Sequence, residues 1–344
     1  MTQTAANSEI SQTHDEPVDG PSPWRFCTAP MMDWSDRHCR FFWRQMSRYA
    51  RLYSEMVTTG ALLHGDQQRH LAFDPRELPV ALQLGGSNPQ ELAQCARLAQ
   101  DWGYSEVNLN CGCPSDRVQN GTFGACLMLH PGKVRDGLAA MRDACSIPVT
   151  LKHRLGVDSM DSYDEFRDFV VTCSESGCTV FIVHARKAWL SGLSPKENRE
   201  VPPLKYDWVY RLKKEFKELT IVINGGIENL AECEEHLRQV DGVMLGRSAY
   251  HDPWLLSEVD TRLFSSAPAN LSRELVTEAM EEYIEGALRN ASRLNHVTRH
   301  MLGLYQRVPG ARRFRRHLSE NAHRPEATVD TLRAAVSEIT SRAA

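Results

Sequence analysis

A chain of 344 residues is long enough for one large domain and a smaller one. With 42% apolar residues, 24% charged residues and a formal charge of −4, the composition excludes a chain disordered throughout and a strongly basic general nucleic-acid binder. No apolar run is long enough to span a bilayer, and ten cysteines without framework spacing read as free thiols of a reducing cytoplasm.

Residues 1–23 are polar, acidic and proline-tipped, lack the pattern of a secretory signal, and read as a flexible tail. From Trp24 onward, short apolar or β-branched runs alternate with helical patterns. Strands are expected at Arg25–Ala29, Leu52–Val57, Val80–Leu84, Glu106–Asn110, Val149–Arg154, Val180–Ala185, Thr220–Asn224 and Gly242–Gly246. Between them, Asn88–Trp102 has apolar residues at helical spacing and an Asn-Pro start. Eight strands alternating with helices over roughly 240 residues predict an α/β protein with a (β/α)8 TIM barrel at 24–263. An open doubly wound sheet fits less well, since no G-x-G-x-x-G follows the first strand. Phe264–Asn270 reads as a Ser/Ala/Pro linker, and 271–344 as a smaller all-helical domain.

Strand parity sorts the side chains. Val80, Leu82 and Leu84 share one face, which leaves Gln83 on the other. By the same count Asn108 and Asn110, then Thr150, Lys152 and Arg154, then His184, then Asn224 face the barrel interior. His153 points outward and carries no assigned role. Gln83, Asn110, Lys152, His184 and Asn224 thus converge on the carboxyl ends of the strands, where this fold places active sites. The seventh strand ends in Asn224-Gly225-Gly226 and the eighth in Gly246-Arg247. Glycines there let backbone N–H groups turn toward an anion, at the position where this fold commonly holds phosphate. Flavin mononucleotide (FMN) suits such a mouth, with Lys152 beside the electron-rich edge of its ring.

Two further patterns point to function. Asn108–Cys126 holds three thiols, and Cys111 and Cys113 are separated by one glycine. No C-x-x-C pair and no second cluster at zinc-finger spacing accompany them, so a metal site is not expected. A redox pair or one working cysteine beside a bystander remain. From Gly286 to Leu318 there are eight arginines and no Asp or Glu, a one-sidedness that suits an RNA backbone better than a merely solvated face.

Ala29-Pro-Met-Met-Asp33, the run around Cys113, Val183-His-Ala-Arg186, Asn224-Gly-Gly226 and Gly246-Arg247 together resemble the tRNA-dihydrouridine synthases. The run Ala185–Glu200 resembles the A subgroup, which acts on uridines 20 and 20a of the D-loop. The resemblance implies reduction of uracil in tRNA by NADPH through bound FMN, with hydride reaching C6 from flavin N5 and Cys113 supplying the proton to C5. It implies FMN contacts from Pro30, Met31, Met32, Gln83, Lys152, His184, Asn224, Gly225, Gly226, Gly246 and Arg247. Asn110 matches a contact to the target nucleotide, and Lys196, Arg199, Arg312 and Arg315 match contacts to tRNA. An ordinary thiol, with a pKa near about 8.5, stays protonated at neutral pH and can serve as the acid. Cys111, by parity, faces the helices as a small hydrophobe, and Cys126 is expected to pack in a helix. The resemblance alone supplies the preference for NADPH, and a monomer in the cytoplasm is the simplest expectation. A flavin barrel acting on a small molecule, such as a dihydroorotate dehydrogenase relative, and a non-catalytic RNA-binding barrel are the alternatives.

Overall fold

The computed structural model describes residues 21–115 and 123–340. The expected tail to residue 20, the segment 116–122 beyond Cys113 and residues 341–344 lie outside the described residues. Eight strands form one parallel sheet: β1 (Phe26–Thr28), β2 (Leu52–Thr58), β3 (Val80–Gly85), β4 (Glu106–Cys111), β5 (Val149–Arg154), β6 (Val180–His184), β7 (Thr220–Asn224) and β8 (Gly242–Leu245). Their spatial order is β1-β8-β7-β6-β5-β4-β3-β2, and the ring closes between β1 and the start of β2. There Thr28 N–H meets Arg51 O at 2.9 Å and Arg51 N–H meets Phe26 O at 3.0 Å. The result is a TIM barrel. β1 and β8 are shorter than expected; β8 stops at Leu245 because Gly246 turns to φ −113°, ψ −98°.

Each connection is built from local signals. The Pro89–Asp101 helix starts where the Asn88 side chain accepts from Gln90 N and Glu91 N, with Pro89 at the first position, where its missing N–H costs nothing. Tyr163–Ser174 opens with a reciprocal Ser162/Glu165 box. Outward strand residues such as Leu82, Leu109, Leu151, Phe181 and Ile223 pack against the helices in the main core. Cys27, Ala29, Tyr53, Ala81, Ile182, Val222 and Met244 fill the barrel itself. The interior is therefore packed and closed below the mouth.

The barrel floor carries a buried charge. The Glu106 carboxylate accepts from Trp24 Nε1 (2.7 Å), Tyr53 Oη (2.6 Å) and Thr150 Oγ1 (2.5 Å), and pairs with Arg51 at 3.2 Å. Four partners meet the cost of burying an ionised group.

After the Val259–Phe264 helix, Ser265 takes a left-handed conformation (φ 54°) and ends it. Helices Arg273–Arg289, Leu294–Thr298, Ala311–Asn321 and Val329–Thr340 follow. The first two lean on the Arg37–Arg44 helix of the barrel. Asp36, which caps that helix by accepting from His38 N and Cys39 N, also pairs with Arg299 at 2.6 Å and His300 at 3.1 Å. Phe41 stacks on Tyr283 with ring centroids 4.0 Å apart.

Candidate active site at the barrel mouth

Cys113 stands two residues past the end of β4, half-buried and unpaired by any disulfide. Asn110, inward-facing on β4, accepts from both Gly112 N (3.0 Å) and Cys113 N (3.1 Å) through one oxygen. Ala125 N–H holds Cys113 O at 2.9 Å, and the thiol donates to Ser115 Oγ at 3.4 Å. The cysteine is thus fixed by its backbone while its sulfur stays at the mouth. Cys111 is fully buried, and burial first, then nearby Cys126, pushes its thiol above the ordinary range. Cys126 lies in the short Gly124–Leu129 helix and donates to Phe123 O at 3.1 Å. Parity anticipated that Cys111, following Val107 and Leu109, turns toward the helices, whereas Cys113 lies past the end of β4, on the loop at the mouth.

Beneath Cys113 runs a chain of hydrogen bonds with one direction. Asn110 Nδ2 donates to Gln83 Oε1 (2.8 Å), and Gln83 Nε2 to Asn108 Oδ1 (2.7 Å). Asn108 Nδ2 then donates to Thr150 Oγ1 (2.7 Å), and Thr150 to Glu106 (2.5 Å). Glu106 accepts only, so every amide above it must present its oxygen upward. The Asn110 oxygen consequently faces the Cys113 backbone. Gln83, expected under a flavin ring, is buried with its amide committed to this chain. Among the described residues Asn110 keeps one N–H uncommitted. Glu106 shares the parity of Asn108 and Asn110, which was the available signal for its role.

Across the mouth, Lys152 Nζ donates to Asn224 Oδ1 at 3.2 Å, and Asn224 Nδ2 to Met244 O at 2.7 Å. Burial, then repulsion from Arg154, lowers the lysine pKa to about 7. His184 is buried and held neutral, its pKa pushed well down by burial, then by Arg154 and Lys152. Arg154, also inward and buried, meets no acid among the described residues; it donates to three backbone carbonyls.

The ends of β7 and β8 form a cradle. Gly225 and Gly226 have φ of +108° and +73°. A β-carbon at Gly225 would run into the His184 ring, and one at Gly226 would lie 2.6 Å from Leu204 Cδ1 and 2.8 Å from Tyr206 Oη. Gly246 lies close to Ala29 and Met31, which brings the Pro30–Met32 segment to the same rim. Pro30 and Met31 are half-buried, and Met32 is 57% exposed. Arg186 Nη1 donates to the carbonyls of Glu200 and Pro202, while its buried Nε has no partner among the described residues. An orphaned guanidinium N–H beside two positive-φ glycines fits an anionic group such as a phosphate. Arg186 was in the Val183–Arg186 motif but not among the expected contacts. Arg247, expected at the phosphate, is ion-paired with Glu200 at 2.6 Å and borders this end.

The expected RNA contacts fall in two places. Lys196 and Arg199 are exposed on the loop after β6. Arg312 and Arg315 line an open groove with Gln306, Arg307, Gly310 and Arg313. The arginine run is only partly available: Arg299 is tied to Asp36, Arg307 to Asp252 and Arg313 to Glu338. Spacing could not reveal these pairs, because each acid lies far off in sequence or on another helix. Among the described residues no group of His, Cys, Asp or Glu could hold a metal ion, and no helix is long and apolar enough to cross a membrane.

The sequence matches the family described as Dihydrouridine synthase (Dus) over residues 27–341. The chain belongs to the dihydrouridine synthase family. It is 57% identical over 316 residues to the tRNA-dihydrouridine(20/20a) synthase of Vibrio vulnificus, covering 92% of this chain and 97% of that one. It is 56% identical over 332 residues to that of Escherichia coli K12 (95% and 96% covered), and 59% over 302 residues to that of Pseudomonas syringae pv. tomato (88% and 90%). Among solved structures, a 2-naphthoyl-CoA reductase aligns with a TM-score of 0.52 at 10% identity, over 68% of this chain and 49% of that one, a likeness of fold alone. Membership makes the protein a flavin-dependent oxidoreductase.

Proposed function

We propose that this protein reduces uridines 20 and 20a of the tRNA D-loop to 5,6-dihydrouridine, with FMN bound across the barrel mouth and NADPH as reductant, acting as a monomer in the cytoplasm. The observation that carries the proposal is the half-buried Cys113 thiol, clamped by Asn110 at a mouth that also holds Lys152 and the Gly225–Gly226 cradle. Those residues suit FMN: Gly225, Gly226 and Arg186 Nε would hold its phosphate, and Lys152, steadied by Asn224, would face the electron-rich edge of its ring. When bound, FMN supplies the hydride for C6. The Asn110 N–H left uncommitted orients a uracil carbonyl, and the Cys113 thiol gives its proton to C5 on the opposite face. The base must leave the folded tRNA to reach this mouth. Lys196, Arg199, Arg312 and Arg315, none paired with a carboxylate among the described residues, would contact RNA phosphates.

The test is dihydrouridine formation on unmodified tRNA with NADPH, read by mass spectrometry at equal flavin content. Cys113→Ala is expected to lose roughly 10²–10⁴-fold in rate, the usual worth of a positioned acid, while Cys111→Ala stays within a few-fold. Full activity in both variants would mean that water or another group donates the proton. A wild type inactive on every tRNA would overturn the substrate.

A further inference from the structure

Arg154 ends β5 at the mouth, 3% exposed. A buried guanidinium ordinarily meets a carboxylate. This one has none among the described residues and instead spans two loops. Its Nε donates to Gly112 O at 2.9 Å, and its Nη1 to Asn198 O at 2.7 Å and Lys187 O at 3.2 Å. The Gly112 carbonyl belongs to the same peptide unit as the Cys113 N–H, which Asn110 holds at 3.1 Å. Asn110 and Arg154 therefore grip the two ends of one peptide plane, and that plane sets where the Cys113 sulfur points.

The other arm of the fork reaches a loop that is itself rigidly indexed. Asn198 is fully buried; its amide accepts from Trp189 N (2.8 Å) and donates to Trp189 O (2.9 Å) and Leu193 O (3.1 Å). Arg199 and Lys196 project from this loop. A planar fork with fixed donor directions can hold two loops in register, which a single ammonium cannot.

We propose that Arg154 is a positioning residue that couples RNA engagement by the Lys187–Arg199 loop to placement of the Cys113 thiol. Contacts made by the loop are transmitted as a small rotation or arrest of the Gly112–Cys113 peptide, so the acid is aligned when the correct RNA is seated. The inference rests on the proposed function and concerns how that site is governed.

The experiment is a double-mutant cycle of Arg154→Lys and Arg199→Ala, with flavin content, NADPH-driven bleaching of the flavin, and kcat and KM for dihydrouridine on tRNA all measured. Arg154→Lys is expected to keep its flavin and its bleaching rate within twofold but to lose at least tenfold in kcat. Arg199→Ala alone is expected to lower kcat and raise KM; on top of Arg154→Lys it should raise KM without lowering kcat further. A kcat within twofold for Arg154→Lys, or kcat losses that multiply in the double variant, overturns the proposal. Should Arg154→Lys not fold, Asn198→Asp, which keeps the acceptor and removes the donors, must show the same loss in kcat with flavin bleaching retained; a full kcat there overturns it equally. A wild type inactive on every tRNA fails the underlying reading instead.

Discussion

Gly225 has its left-handed φ with the His184 ring where a β-carbon would stand. Both conditions reject any side chain, so the position is set by backbone conformation and by space together. Gly225→Ala is expected to displace His184 and open the cradle, weakening retention of FMN at least tenfold; the flavin-to-protein ratio after gel filtration checks this. If the alanine variant stays as yellow as wild type, the cradle does not hold the phosphate. The glycine pair was legible in the sequence as a motif at strand ends. Arg186 was not singled out, because an Nε without a partner among the described residues is visible only once folding has brought the carbonyls of Glu200 and Pro202 to its Nη1.

Strand β4 contributes alternate residues Glu106, Asn108 and Asn110 to one face, and the hydrogen-bond chain climbs them by way of Thr150 and Gln83. Thr150 is the link next to the carboxylate. Thr150→Val keeps its shape and leaves Glu106 bound to Trp24, Tyr53 and Arg51. It strands a buried Asn108 N–H, at a cost of about 1–3 kcal/mol, and frees the amides above to flip. A lower melting temperature with reduced activity at unchanged flavin content is expected; thermal unfolding and a tRNA assay on the same sample decide it. An unchanged melting temperature would mean that water repairs the gap. Parity showed that Asn108 and Thr150 face inward, but only the pairing of β3, β4 and β5 brings Gln83, Asn108 and Thr150 into register.

At the scale of the whole molecule, titration ties packing to pH. His153 lies among Phe166, Phe169 and Phe181, and His38 packs beside Tyr283. Burial is the main cause that lowers each pKa from 6.5 to about 4. An unfolded chain takes up these protons near pH 6.5, whereas the folded chain resists until about 4. Stability therefore falls as pH drops from 6.5 toward 4 and levels off below, by up to about 3 kcal/mol per histidine at 1.36 kcal/mol per unit. Urea unfolding at pH 7.5, 6 and 5 should show this slope, and His153→Phe should flatten it. A slope identical in the variant would remove His153 from the account. The same region joins the barrel to the later helices: Asp36 caps the Arg37–Arg44 helix and pairs with Arg299 and His300.

Period and parity are local properties of a chain, and they were enough to establish the barrel, the eight strand positions, the inward residues of the mouth and the outward turn of Cys111. Motif spacing carried the family. Which partners those residues take depended on the tertiary structure. Arg154 faced the mouth in sequence, yet its three carbonyls come from loops after two other strands. Arg299, Arg307 and Arg313 looked like free cations until folding brought Asp36, Asp252 and Glu338 to them. Side-chain direction follows from two or three neighbours along the chain, whereas a hydrogen bond between strands or domains depends on where distant segments come to rest.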